Sequence, residues 1–394
     1  MKAQTISLSR NPALDNTPLS VLDSINSHLK RLSSSKKVIP LHQGKTLFTT
    51  PVELRHWADS EFDYPPHHDG PPGGTNTLIE AIREKLETQF GQEIDPERIQ
   101  VTCGITHGLS IIFHCVLLPG DEVIVLSPQW LFAKGLVRAS GGVPVEVPFF
   151  PATGGEPIGG VTTLIAPYLT AKTRAIYFNS PNNPTGRSLS RTQFEELADF
   201  AGERGLYLVA DNAYEFYDYT PGGFIDPAML HDGRHHTFSA YSFSKSFGMT
   251  GYRIGYLLSP PDMAELARKF ALHSIYSVAT PCQFAALSAM RVSPEIVDSH
   301  REFIKTALDI TNQQLRVPAS IPDGGFYTLL DLSAWQRGTD DFIHACVSEG
   351  VSLAPGRAFG AGYDQYARLC YSVVSHEDLK EGIRIINDIY ERNS

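Results

Sequence analysis

Only five of the 394 residues are cysteine, and Cys103, Cys115, Cys282, Cys346 and Cys370 form no CxxC pair. Scattered thiols in odd number read as reduced side chains of a cytoplasmic protein, and they give neither a disulfide framework nor a zinc site. Basic charge is also short: 33 Lys and Arg against 43 Asp and Glu leave a formal charge of −10. A nucleic-acid polyanion is therefore a poor partner. No apolar run reaches the ~20 residues that span a bilayer, and the opening MKAQTISLSRNPALDNTPLS lacks the apolar centre of a secretory signal. The pairs His67–His68 and His235–His236 have no ligand partners at metal spacing; they read as exposed loop residues, and no metal is expected.

What is present is material for a large core. Hydrophobic residues make up 42% and charged residues 19% of the chain, enough for two domains or one large α/β domain with an appendage. Residues 1–48 read as an arm with a short helix from Pro18 to Leu32. TLIEAIREKLETQFG then sets Leu78, Ile79, Ile82, Leu86 and Phe90 on one helical face. From about residue 100, β-rich runs alternate with helical patterns: 122–128, 174–181, 206–211, 237–242 and 254–260. Such alternation implies a mostly parallel sheet buried on both faces and flanked by helices. This large α/β domain is expected over 49–290. Beyond it come a long helix near 291–315, the runs GGFYTLLDL and ARLCYSVV, and a closing helix carrying Leu379, Ile383, Ile386 and Tyr390. They read as a smaller α+β domain over 291–394, packed with the arm.

In open parallel sheets, ligands bind at the carboxyl ends of the strands. Three of the runs end in SPNNPTG, DNAYEFYDY and SFSKSFG, which brings Asn183, Asp211 and Lys245 to one edge. Taken singly, each has an ordinary explanation. NNPTG is a turn, Asp211 a helix cap, Lys245 a snorkelling surface lysine and Arg253 half of an ion pair. Their conjunction in this order asks for more. A lysine amine in a partly desolvated site forms a Schiff base with a carbonyl. An aldehyde cofactor with a pyridine ring then needs a carboxylate at its ring nitrogen, donors at its phenolic oxygen and a cation with hydroxyls at its phosphate. Asp211, then Asn183 and Tyr214, then Arg253 and Ser242 match these needs.

The words PNNPTG, DNAY, SFSKSFGMTGYRIGY, LAPGRAFG and ARLCYS, in this order, resemble the fold-type-I pyridoxal-phosphate enzymes of the class I/II aminotransferase family. The likeness runs from about residue 40 to the C-terminus. It implies a seven-stranded, mostly parallel sheet, pyridoxal 5′-phosphate, amino-acid and 2-oxo-acid substrates, and a homodimer with sites at its interface. By the same resemblance Lys245 is the Schiff-base lysine and proton shuttle, and Asp211 is the partner of the pyridinium. Asn183 and Tyr214 face the phenolic oxygen, while Ser242, Arg253, Ile105 and Thr106 hold the phosphate. Trp130 stacks on the ring. Arg368 binds the substrate α-carboxylate near Gly44 and Asn183, and Phe326 lines the side-chain pocket.

Two positions depart from the family. Where its members often carry a tyrosine before a PP segment, this chain has Asp69, beside His67 and His68. Two readings stand: a contact to a cationic substrate group, or a rearranged loop. His107, in the phosphate-turn helix, reads either as a donor to phosphate or substrate or as a first-turn surface residue. The leading expectation is amino transfer between an α-amino acid and a 2-oxo acid. The core motifs alone do not separate it from elimination, replacement or cyclisation at Cβ or Cγ of a substituted amino acid. A ligand sensor on the same fold is disfavoured, because Lys245 is kept and no DNA-recognition helix precedes it.

Overall fold

Alternating apolar runs become a seven-stranded sheet. Its strands are β1 (Ile99–Thr102), β2 (Glu122–Ser127), β3 (Val143–Pro148), β4 (Thr173–Asn179), β5 (Tyr207–Asp211), β6 (Thr237–Ser242) and β7 (Gly255–Leu258), in the order β1-β7-β6-β5-β4-β2-β3. The computed structural model describes residues 15, 17, 22–32, 36–50, 65, 67–153, 160–230, 233–291 and 294–392. Strands β2 to β6 are mutually parallel, and β7 alone runs against its neighbours β6 and β1.

Continuous apolar strands need cover on both faces, because successive side chains point to opposite sides. On one face Ile124, Ile176, Phe178 and Leu208 pack against Phe194, Leu197 and Phe200 of the helix Arg191–Glu203. On the other, Val125, Tyr177, Val209 and Phe238 meet Leu109, Ile112 and Phe113 of the helix Gly104–Val116. The carboxyl ends of β4, β5 and β6 lie side by side: Asn179 is in register with Asp211, and Asp211 with Ala240.

A second sheet holds β8 (Tyr327–Asp331), β9 (Ala354–Pro355) and β10 (Tyr366–Cys370), antiparallel in the order β8-β10-β9. Its core joins Ile304 and Leu308 of the helix Pro294–Gln314 to Leu379, Ile383 and Ile386 of the helix His376–Glu391. Leu29, Ile39 and Leu41 belong to the same core. Ile39 bridges Val351, and the Leu41 carbonyl accepts from the Cys370 N–H at 2.8 Å, so residues 39–41 extend the small sheet's surroundings. Leu22–Leu32 of the arm is helical; positions 18–21 of the expected helix lie outside the described residues.

Two strands, β1 and β3, were not among the runs expected from the sequence. β3 lies at the sheet edge, contains Pro144 and Pro148, and is buried only at Val147. An edge strand with prolines has no continuous apolar signature to read. Among the described residues no helix is long and apolar enough to cross a membrane.

Candidate active site

A cavity of about 280 Å³ opens at the carboxyl ends of β4, β5 and β6 and is closed from the other side by Tyr327, Arg368 and Gly44. Lys245, Asp211, Tyr214, Asn183, Ser242, Arg253, Ile105, Thr106 and Trp130 all line it.

Lys245 sits in the single helical turn Phe243–Ser246 that follows β6. Its Nζ donates to the Gly44 carbonyl at 2.6 Å. Burial lowers its pKa to about 8, with the cations Arg368, Arg253 and Lys45 acting in the same direction and Cys370 against it. Asp211 ends β5 fully buried. Its Oδ2 accepts from the Tyr177 hydroxyl at 2.9 Å and its Oδ1 from the Ala213 N–H at 3.2 Å. Burial raises its pKa to about 6, opposed by those two donors and by Lys245.

The loop after β4 is tied by amides. Asn179 donates to the Asp211 carbonyl at 2.7 Å and accepts from the Asn183 N–H at 2.8 Å. Asn183 donates to the Tyr214 hydroxyl at 3.3 Å, and its Oδ1 accepts from Arg368 Nη1 at 2.8 Å. Arg368, on β10, gives Nη2 to the His42 carbonyl at 2.7 Å. Its guanidinium carbon lies 4.5 Å from the Tyr327 ring centre and 4.8 Å from that of Phe359, while its buried Nε has no protein partner. A planar cation so sandwiched is preorganised to fork a carboxylate. His42 is itself locked: its Nδ1 meets the Ser352 hydroxyl at 2.7 Å and its Nε2 meets Asn26 Oδ1 at 2.9 Å. Burial and the adjacent Arg368 charge push its pKa down to about 4, so it stays neutral.

At the far end, Ile105 and Thr106, at the N-terminus of the helix Gly104–Val116, line the cavity. Helix N-termini attract anions. Arg253 lies over this turn in a left-handed conformation with φ 50°, its Nη1 on the Thr250 carbonyl at 3.1 Å. Gly104 makes room for it: a Cβ there would come within 2.5 Å of Arg253 Nη2.

A family model described as aminotransferase class I and II matches residues 36–386. The chain belongs to this family. The Aquifex aeolicus protein named probable aspartate/prephenate aminotransferase is 35% identical over 82% of this chain and 83% of its own. Aromatic-amino-acid aminotransferase 2 of Thermococcus litoralis is 31% identical over 88% and 90%. A double mutant of Thermus thermophilus aspartate aminotransferase superposes with a TM-score of 0.88 at 29% identity, covering 97% of this chain and 100% of that one.

The expected substrate contact Phe326 lies outside this cavity, as do His107 and Asp69, for which a contact was one of two readings. Phe326 is fully buried behind Tyr214, edge-on at 5.0 Å, and Tyr327 lines the cavity instead. Neighbouring residues of an extended chain face opposite ways, so the assignment was off by one. His107 faces away from the cavity: its Nδ1 accepts from the Cys103 N–H at 3.1 Å and its Nε2 donates to the Ser274 hydroxyl at 3.0 Å. It caps its own helix and touches neither phosphate nor substrate space. Asp69 is exposed, outside the cavity of its own chain, in a segment held by the bond of Thr280 to the His68 carbonyl at 2.7 Å.

Sequence reasoning missed Tyr177, Tyr327, Ser244, Leu22, Leu131 and Phe132, the first as the partner of Asp211 and the others as cavity walls. Tyr177 carried a signal: a tyrosine inside an apolar strand must find a partner for its hydroxyl.

Two outcomes follow from this geometry. A Cβ at Gly44 would stand 2.7 Å from the Tyr327 hydroxyl. Gly44→Ala is therefore expected to lower kcat/KM at least about tenfold and stability by about 1–3 kcal/mol, measured by steady-state kinetics and urea unfolding. Asp211, raised to about 6 when folded, binds its proton more tightly in the native state. Its favourable contribution is complete below about pH 4 and is lost as pH rises through about 6, a cost of roughly 3 kcal/mol. Ligand-free Asp211→Asn protein should thus be more stable than the parent above pH 6 and equal to it below pH 4, read from denaturant unfolding at each pH.

Proposed function

We propose that this aminotransferase uses pyridoxal 5′-phosphate, works as a homodimer, and transfers the amino group of amino acids with apolar or aromatic side chains to 2-oxo acids. The observation that carries the reading is the convergence of a lysine amine lowered to about 8, a buried carboxylate with no ion pair among the described residues, and an arginine with an orphaned buried Nε around one cavity.

The donor set fits this cofactor. Arg253, the Thr106 hydroxyl, the helix N–H groups and Ser242 suit its phosphate. Asn183 and Tyr214 suit its phenolic oxygen, and Asp211 suits a protonated ring nitrogen, which would supply the positive charge that the buried carboxylate lacks. When bound, the cofactor carries the amino group between substrates and draws charge from the substrate α-carbon into its ring. Arg368 holds the substrate α-carboxylate with the N–H groups not engaged by Asn183 and His42. Lys245 Nζ, released from the Gly44 carbonyl, takes the α-proton and returns it to the cofactor side. Trp130 and Tyr327 keep water from the reacting carbon. Of the cations lining the cavity among the described residues, Arg253 and Arg368 are committed to anions and Lys245 to proton transfer. The remaining wall, Leu22, Ile105, Leu131, Phe132 and Trp130, offers apolar surface to the side chain.

Single-turnover spectra of the cofactor-loaded protein against an amino-acid panel test this. Phenylalanine or leucine is expected to give kcat/KM about tenfold or more above aspartate, equivalent to about 1.4 kcal/mol; a preference for aspartate rejects the substrate class, and no spectral change with any amino acid rejects the reaction. Covalent capture of the cofactor by ligand-free protein should accelerate as pH rises through about 8, where Lys245 loses its proton, and Lys245→Ala should abolish the covalent linkage while leaving the phosphate contacts in place. Arg368→Lys should raise KM for the amino acid about ten- to hundredfold, since a point cation cannot fork a carboxylate.

A further inference from the structure

Behind the cavity lies a buried carboxylate that the chemistry above does not use. Asp226 is fully buried. Its Oδ1 accepts from the Ser239 hydroxyl at 2.6 Å and the Ala228 N–H at 2.9 Å. Its Oδ2 accepts from the Tyr241 hydroxyl and, at 3.3 Å, from Asn212 Nδ2. Four donors on one carboxylate meet its need for partners without any cation in contact.

The placement of those donors gives Asp226 its interest. Side chains alternate along a strand, so Ser239 and Tyr241 share the face of β6 opposite to Ala240 and Ser242. Asn212 likewise follows Asp211. Asp226 therefore grips the back of the two strand ends whose fronts carry Asp211, Ser242 and, three residues on, Lys245. It does so at the point where Asp211 and Ala240 are in register. A second tie runs beside it. Lys85 pairs with Glu215 at 2.5 Å and donates to the Tyr256 hydroxyl at 3.1 Å, and the Tyr256 ring stacks on Tyr241 at 4.6 Å. Glu215 adjoins Tyr214. Asp211, Tyr214 and Ser242 each have as sequence neighbour a member of this buried polar set: Asn212, Glu215 and Tyr241.

We propose that Asp226 is a positioning residue that fixes the spacing between the β5 and β6 exits, and through it the distance from the Asp211 carboxylate to the Ser242 hydroxyl and the Lys245 amine. This rests on the reading of the cavity as the pyridoxal-phosphate site. A cofactor held at its ring nitrogen from β5 and at its aldehyde and phosphate from β6 is bound across that gap. Loosening the gap weakens cofactor binding and misplaces the amine, while Arg368 on β10 is untouched.

Asp226→Asn and Tyr241→Phe test it. The second keeps the ring stack and removes one hydrogen bond to the buried Asp226 carboxyl group. In each, the dissociation constant of pyridoxal phosphate, the pH midpoint of the loaded protein's visible absorbance, kcat and KM, and the melting temperature of the ligand-free protein are measured. Expected are a dissociation constant about tenfold higher, a shifted pH midpoint, a lower kcat at saturating cofactor, and an amino-acid KM within about twofold of the parent. A lower melting temperature with unchanged cofactor affinity, pH midpoint and kcat overturns the proposal and leaves Asp226 a purely structural residue. Should Asp226→Asn fail to fold, Tyr241→Phe decides alone by the same criteria. The parent protein separates the two readings: if it binds no pyridoxal phosphate the site assignment fails, whereas parent-like variants beside a competent parent defeat only the positioning role.

Discussion

The structure depends on keeping a lysine amine out of water without pairing it to an acid. Lys245 has a backbone carbonyl as its nearest partner, and among the described residues no carboxylate forms an ion pair with it. Burial disfavours its charged form, and the nearby Arg368, Arg253 and Lys45 disfavour it further. The same burial acts on Asp211 in the opposite sense, so the base is lowered toward 8 and the acid raised toward 6. Both groups are moved toward neutrality by one cause. A site prepared in this way is incomplete electrostatically. The proposed cofactor would balance it, bringing a cationic ring nitrogen to the acid and an anionic phosphate to the arginine, and would stabilise the fold on binding.

That preparation has a cost that the two sheets absorb. The strand ends of β4, β5 and β6 are rigid because their faces are covered by helices, so polar groups can be held there without collapse. Asn179 binds the Asp211 carbonyl and the Asn183 N–H at once. Asp211 and Asn183, the residues proposed to face the ring nitrogen and the phenolic oxygen, are therefore tied by one amide. Arg253 accepts a left-handed backbone and Gly104 a missing side chain, which together let a guanidinium lie on a helix N-terminus.

The legible part of the sequence was the part governed by local rules. Apolar runs ending in Asn, Asp and Ser marked three strand exits, and the residues just past them share one cavity. Long-range contacts left no such mark. Phe326 and Tyr327 are adjacent aromatics, and which of them faces the cavity is decided by the phase of β8 against β10, a tertiary fact. His107 looked available for anion binding because it stands on the right helix. Its ring is instead drawn back to the Cys103 N–H, a competition between local capping and ligand binding that composition does not resolve. β3 escaped notice because an edge strand buries little. Tyr177 was visible as a residue and not as a partner, since its hydroxyl crosses from β4 to β5.

The arm is the least readable segment by pattern and among the most consequential by contact. His42 and Gly44, two residues apart, offer their carbonyls to Arg368 and Lys245, the two cations proposed to handle substrate. His42 is in turn fixed between Ser352, just before β9 of the small sheet, and Asn26 of the helix Leu22–Leu32, whose Leu22 reaches the cavity wall. A neutral imidazole suits this buried place, because a protonated ring would lose its hydration and repel the adjacent Arg368. Its depressed pKa of about 4 secures that state across the physiological range. Arg368, Lys245 and one wall of the cavity are thus coupled through the three-residue stretch 42–44. Displacing that stretch would free both cations at once, which makes the arm part of the site and not an appendage to it.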